Sequence, residues 1–230
     1  MSQRDPVRTT PTLEAYVGAV VRAWPAVEPA APCSREACAV LWAQYMIETG
    51  GKACWNWNIG NVKAADPARP WHALRGVWEG VSAAEAARLV AAGEAVYDAN
   101  AAHQRAVAPR TAVVFEPPHP ATRFRSFDSL DEAMGEHLAL LRRRFAKGWP
   151  GVLAGDVVRF AAGLRAQGYF TASAEAYAAG MRAPFAAAMA SAAFDMATDP
   201  RPVVDMGGPV HGTHVVEASL AEREEPEDVG

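Results

Sequence analysis

Long hydrophobic runs, lysines and paired cysteines are all scarce in this chain of 230 residues. Although 50% of the residues are hydrophobic, Arg, Glu, Gly or Pro interrupts each Ala- and Val-rich stretch before it reaches the roughly 18–20 residues that a membrane-spanning helix needs. The first six residues are polar, and the absence of an apolar segment behind them argues against a Sec signal peptide. We therefore expect no membrane span, and synthesis in the cytoplasm.

Basic residues are too scattered for a nucleic-acid groove. The chain has 22 basic and 26 acidic residues, and only Lys52, Lys63 and Lys147 are lysines. Six acids lie between Glu217 and Gly230, so the rest of the chain is close to neutral. A nucleic-acid partner is therefore not expected.

Cysteine and histidine spacing predicts no metal site. Cys33, Cys38 and Cys54 are odd in number and contain no C-x-x-C pair, so buried free thiols are the simplest interpretation, with one disulfide as the alternative. His211 and His214 form an H-x-x-H, but their Gly and Pro neighbours disfavour the helix that such a site needs. No cofactor is expected.

Hydrophobic periodicity predicts a mainly α (α+β) fold. The predicted helices begin after Thr12, Ser34, Ser82, Ser129, Asp156 and either Thr171 or Ser173. The helix after Ser34 is apolar on most of its circumference, which is typical of a helix at the centre of a domain. The Ala-rich helix after Ser82 is expected to run to about Arg105, and Pro184 is expected to break or kink the last helix before a final one ends near 197.

Two short β stretches, near residues 72–81 and 111–116, complete the prediction. The domain plan is a flexible arm at 1–11, a helical domain at 12–198 with a small β lobe that carries the inserted helix, and an acidic mobile tail at 199–230.

Glu48 is the first candidate for chemistry. It is expected in the last turn of the most apolar helix, one turn after Gln44 and just before Gly50 and Gly51. Low local dielectric and the negative end of the helix dipole both disfavour an ionised carboxyl there, which raises the pKa toward the range of a general acid. The alternative is a Glu that simply reaches water at the helix end.

An aromatic and amide-rich segment follows Glu48, with the sequence W-N-W-N-I-G-N at 55–61. Indole faces stack on sugar rings, and Asn side chains pair with hydroxyl and N-acetyl groups, so Trp55, Trp57, Asn58 and Asn61 are candidate substrate-binding residues. In the alternative interpretation the two Trp belong to the core and Gly60 forms a turn.

Four motifs occur in order along the chain. They are A-Q-Y-M-I-E-T-G-G at 43–51, N-I-G-N-V-K-A at 58–64, R-F-R-S-F-D-S at 123–129, and Q-G-Y-F-T at 167–171 with Y-A at 177–178. Together they resemble the bacterial glucosaminidase family of the lysozyme superfamily. That family includes flagellar rod-cap muramidases, autolysins and phage lysins that cut peptidoglycan glycan strands.

The resemblance implies a lysozyme-like domain with specific residue roles. Glu48 would be the general acid, Tyr169 would line the cleft beside it, and Thr171 would support Tyr169. Gln44 joins the candidate substrate-binding residues. Ala172 and Ser173 replace the family's D-P, a departure that affects the local turn.

A second carboxylate is also implied, on a β-hairpin after the second motif. Glu79 lies fifteen positions after Ala64, as in the family, and would act as a base for water or as an electrostatic partner to an oxocarbenium-like transition state. Glu116, on the second β stretch, is the alternative.

The activity that the resemblance implies is hydrolysis of a β-1,4 bond between N-acetylglucosamine and N-acetylmuramic acid in peptidoglycan. The alternatives are a lytic transglycosylase that forms 1,6-anhydro products, and a non-catalytic wall-binding or assembly module. Because this substrate lies outside the cytoplasm, we expect a monomer delivered without Sec to the periplasm or cell wall. It would be an antibacterial secretion-system effector or a phage lysin, with an immunity protein or a secretion carrier as partner.

Overall fold

The structure, a computed structural model, describes residues 3–66, 68–170 and 172–197, without the side chains of 196 and 197. Eight α-helices lie in these residues: α1 (Leu13–Ala23), α2 (Arg35–Thr49), α3 (Ala83–Ala91), α4 (Ala101–Val107), α5 (Leu130–Arg144), α6 (Trp149–Leu153), α7 (Val157–Ala166) and α8 (Ala174–Ala190). The strands are β1 (Gln3–Arg4), β2 (Arg8–Thr9), β3 (Cys54–Trp55), β4 (Trp71–Ala73), β5 (Val77–Val81), β6 (Ala95–Tyr97), β7 (Thr111–Phe115) and β8 (Arg123–Arg125). The predicted mainly α fold with a small β part is confirmed.

Helix α2 lies at the centre of the helical core. Ser34 caps it by accepting a hydrogen bond from the backbone N–H of Ala37, and Gly50 ends it in the left-handed region at φ +62°. Val40 and Leu41 are fully buried, and α2 packs against α1, α6 and α8. The prediction of a central apolar helix is confirmed, and the packing sets the last turn of α2, with Glu48, beside α8.

Helices α6 and α7 cross at close range because two glycines leave room for backbone. A Cβ on Gly163 would lie 2.3 Å from the Lys147 carbonyl oxygen, and one on Gly151 would lie 2.3 Å from the Phe160 backbone nitrogen. This crossing orients α7 and therefore the turn after it, where Tyr169 lies. In the described part of the chain, no helix is both long and apolar enough to cross a bilayer.

The β lobe is made of three small sheets. Strands β1, β4 and β8 form one sheet, β2 pairs with β3, and β5, β7 and β6 form an antiparallel sheet with β7 in the middle. A second, smaller apolar cluster holds α3 against the last of these sheets; its buried members are Ala86, Leu89, Ala95, Val113 and Phe115.

The single helix predicted between Ser82 and about Arg105 is wrong. Its residues form α3, then edge strand β6, then α4. Gly93 turns the chain at φ +68°, and Ala95 pairs with Phe115 of β7. High alanine content favours a helix, but the hydrogen bonds along β7 and the small apolar cluster outweigh that propensity.

Two other expectations differ from the structure. Helix α8 continues through Pro184 to Ala190, so no break occurs at Pro184, and the final helix that ends at Ala197 is a short 3-10 helix from Ala192. The expected loose arm forms β1 and β2, which pair with β4 and β3. The acidic tail and the His211/His214 pair lie outside the described residues.

Candidate active site

Glu48 is half-buried in the last turn of α2. The Tyr177 hydroxyl of α8 donates a hydrogen bond of 2.7 Å to its Oε1. Burial raises the pKa of Glu48 above its ordinary value of 4.5, and the hydrogen bond from Tyr177 opposes that rise. The carboxyl group therefore keeps its proton to a higher pH than a solvated Glu would.

Aromatic residues pack against Tyr177 and against Tyr169. The Phe170 ring is stacked on Tyr177 with centroids 4.0 Å apart, and Tyr169 packs edge-on against Phe145 at 4.8 Å. Burial and the charge of Glu48 raise the pKa of both tyrosines well above the ordinary value. Both hydroxyls therefore stay protonated and can donate hydrogen bonds at neutral pH.

Gln44 lies behind the site and is fully buried. Its Oε1 is 3.3 Å from Nε2 of His137, and burial lowers the pKa of that histidine to about 4, so the ring is neutral. A Cβ on Gly60 would lie 2.5 Å from His137 Nδ1, so glycine allows the loop at 58–63 to pack directly on this ring. Gln44, which the sequence places among substrate-binding residues, thus lies in the core that supports the tyrosines.

The loop at 58–63 is attached to the end of α2. The exposed Asn61 donates a hydrogen bond of 3.0 Å from Nδ2 to the Glu48 carbonyl oxygen. Asn58 is 2% exposed, and its side-chain amide donates to the Val62 and Arg125 carbonyls and accepts from the Val62 N–H. Asn58 therefore shapes the loop, whereas Asn61 ties it to the backbone of Glu48.

The two Trp candidates lie against the N-terminal strands. The Arg8 guanidinium lies 5.9 Å from the centre of the Trp55 indole. Trp57 donates its backbone N–H to Thr9 Oγ1 at 2.9 Å and lines a hollow of about 330 Å³ with Val7. Glu48 is not one of the described residues that line this hollow. The structure thus groups the indoles with the N-terminal segment.

Glu79 lies on β5, opposite Val113, and is about half exposed. Lys63 Nζ is 3.0 Å from its Oε1. Glu79 also lines an open pocket of about 510 Å³ together with Ala172, which lies between α7 and α8. The pocket therefore has one wall on the β lobe and another beside the turn that carries Tyr169. Thr171, the predicted support of Tyr169, lies outside the described residues.

Glu116 occupies a different place. It is exposed, follows the end of β7, and accepts a hydrogen bond of 3.2 Å from the Gly76 backbone N–H. That contact closes the connection before β5, at the end of the β5–β7 pair away from Val81. Of the two candidate second carboxylates, Glu79 is the one that shares a pocket with the α7–α8 turn.

Sequence reasoning missed two residues of the site. Tyr177 and Lys63 stand within the quoted motifs, yet neither was assigned a role. The signal for Tyr177 is its place in the Y-A motif, since a tyrosine hydroxyl can donate a hydrogen bond to a carboxyl group. The contact with Glu48 depends on how α8 packs on α2.

Comparisons with known proteins find solved structures of low similarity to this chain. No family profile and no curated protein matches the chain. A peptidoglycan hydrolase from Sphingomonas sp. A1 is 21% identical, with a TM-score of 0.40 over 78% of this chain and 95% of that chain. The glycoside hydrolase domain of FlgJ from Salmonella typhimurium is 15% identical, with a TM-score of 0.37 over 78% of this chain and 90% of that chain. These neighbours belong to the class of protein that the sequence motifs resemble.

Proposed function

We propose that this protein hydrolyses a β-1,4 bond in the glycan strands of peptidoglycan, with Glu48 as the general acid. The observation that carries the proposal is a half-buried carboxyl group whose pKa is raised by burial and whose Oε1 accepts a hydrogen bond from Tyr177. A general acid must hold its proton at the working pH and release it in the transition state. The four ordered motifs support the same assignment.

The hydrogen bonds around Glu48 define its proposed action. Because Oε1 accepts the Tyr177 hydroxyl hydrogen, the acidic proton would reside on Oε2 and pass from there to the glycosidic oxygen. Tyr177 would then stabilise the carboxylate that remains. The protonated Tyr169 hydroxyl would serve as a further donor beside the reacting sugar.

Glu79 is proposed as the second carboxylate. Its contact with Lys63 and its place in the pocket that Ala172 also lines support this role. An ionised carboxylate there would activate water or stabilise the positive charge of an oxocarbenium-like transition state. A lytic transglycosylase needs no such base, so a role for Glu79 would favour hydrolysis.

Digestion of purified peptidoglycan sacculi tests the proposal. We expect wild type to release muropeptides with reducing ends, and Glu48→Gln, which keeps an oxygen to accept from Tyr177, to lose at least about 10²-fold in rate. Glu79→Gln should also be impaired. Glu116→Gln is the matched control and should remain active.

Mass spectrometry of the products distinguishes the alternatives. The sugar at the reducing end identifies the bond that is cut. Products with 1,6-anhydro ends would reassign the protein as a lytic transglycosylase. Intact sacculi that bind wild type and Glu48→Gln equally would contradict any enzymatic role and leave a binding module.

A further inference from the structure

Cys33 and Cys38 meet at the N-terminus of α2. Their Sγ atoms are 3.3 Å apart, and the two residues are 5% and 0% exposed. Ser34 is the N-cap, so Cys33 immediately precedes the cap and Cys38 is the fourth helical residue. These two positions pack against each other in many capped helices, usually as an apolar pair. The cap geometry therefore brings two thiols into contact.

Cys54 has different surroundings. It lies on β3, where its Sγ is 3.2 Å from Thr9 Oγ1 and donates a hydrogen bond of 3.4 Å to the Thr9 carbonyl. Spacing along the sequence leaves all three pairings of the cysteines open. The structure brings Cys33 and Cys38 together and holds Cys54 against Thr9 of the N-terminal strand β2.

We propose that Cys33 and Cys38 form a disulfide when the protein folds in the presence of a disulfide oxidant such as oxidised glutathione. A disulfide requires an S–S separation of about 2.05 Å, so each sulfur must move by only about 0.6 Å from its present position. The inference is independent of the function proposed for Glu48.

The chemistry is thiol–disulfide exchange in two steps. Cys33 is the more exposed of the two thiols. The pKa of Cys38 is raised well above its ordinary value by the hydrogen bond with Cys33 and by burial, so Cys38 is the poorer first nucleophile. The Cys33 thiolate attacks the glutathione disulfide, which gives a mixed disulfide and releases one glutathione. Cys38 then loses its proton, attacks the Cys33 sulfur and releases the second glutathione. Two cysteine thiols are oxidised, and one disulfide is reduced to two thiols.

The bond would fix the start of α2 without touching its other end. Glu48 lies ten residues after Cys38, which is about 15 Å along a helix. We therefore expect oxidation to raise the thermal unfolding midpoint and to leave the geometry around Glu48 unchanged.

The test refolds the reduced, denatured protein in a buffer of reduced and oxidised glutathione, with a parallel sample in reductant alone. Free thiols are trapped with iodoacetamide, and the intact mass and the peptides are measured. We expect the oxidised sample to lose two hydrogen atoms, to retain one alkylated thiol at Cys54, and to yield a peptide pair linked through Cys33 and Cys38. Its thermal midpoint should exceed that of the reduced sample.

Variants provide the matched controls. Cys54→Ser should still form the bond, whereas Cys38→Ser should retain glutathione on Cys33. The wild-type peptide map decides the question even if a variant does not fold. Three alkylated thiols in folded wild type after oxidation, or a link that includes Cys54, would overturn the proposal.

Discussion

Glu48 combines an acidic side chain with surroundings that disfavour its charge. Burial raises its pKa, and the Tyr177 hydroxyl partly reverses that rise by donating to the ionised form. Burial and this one hydrogen bond from α8 therefore act in opposite directions on the pKa of Glu48.

Replacing Tyr177 with Phe tests this balance at the level of one atom. The variant keeps a ring to stack on Phe170 but loses the donor that stabilises the carboxylate, so the pKa of Glu48 should rise further. Since the general acid proposed for this site acts in its protonated form, the alkaline limb of the pH profile of kcat/KM should move to higher pH. Peptidoglycan digestion rates measured across pH provide the check.

Tyr97→Phe is the control for that experiment. Tyr97 is 53% exposed on edge strand β6, so its hydroxyl should not affect the profile. An alkaline limb that stays in place or moves to lower pH in Tyr177→Phe would contradict the role given to this hydrogen bond.

At the scale of helices and strands, the close approach of α7 to the start of α6 gives a prediction about stability. In Gly163→Ala the new methyl group would lie 2.3 Å from the Lys147 carbonyl oxygen and 2.4 Å from the Gly148 nitrogen, and backbone atoms have little room to relax. We expect the free energy of unfolding to fall by about 1–3 kcal/mol or more. Urea denaturation of wild type and variant would measure this change.

Gly135→Ala on α5 separates crowding from helix propensity. A Cβ at that position meets no atom within 4 Å among the described residues, so Ala should stabilise α5 by about 0.5–1 kcal/mol. If both variants changed stability in the same direction, close packing of α6 and α7 would not be the reason for Gly163.

The N-terminal segment provides the prediction for the whole molecule. Strands β1 and β2 join the β lobe, and the buried Asn56 donates to the Asp5 carbonyl and accepts from the Val7 N–H. Deleting residues 1–9 would remove both of these partners and leave the Asn56 side chain only its hydrogen bond to Ser126 Oγ among those described. We expect a loss of about 1–3 kcal/mol in the free energy of unfolding, to be measured by denaturant titration with tryptophan fluorescence.

Arg4→Ala distinguishes strand pairing from surface charge. It removes the ion pair of Arg4 with the exposed Asp128 but keeps both strands, so its cost should stay below about 1 kcal/mol. A deletion no more harmful than Arg4→Ala would show that pairing of the segment contributes little to stability.

The sequence by itself determined the main helices and singled out Glu48 as the candidate acid. Caps such as Ser34 and Ser129 act on backbone groups within one turn, and apolar periodicity is a local pattern, so α1, α2 and α5 follow from neighbouring residues. Glu48 could be selected because its motif and its place at the end of an apolar helix are both local features.

Only the tertiary structure decided the partners across the chain. The pairing of Ala95 with β7, the contact of Tyr177 with Glu48 and the burial of Asn58 each depend on residues far away in sequence. Alanine-rich segments have the same local helix preference whether or not a strand lies beside them. The free energy that separates these outcomes comes from packing and hydrogen bonds that form only when the chain folds, which is why local pattern could not supply them.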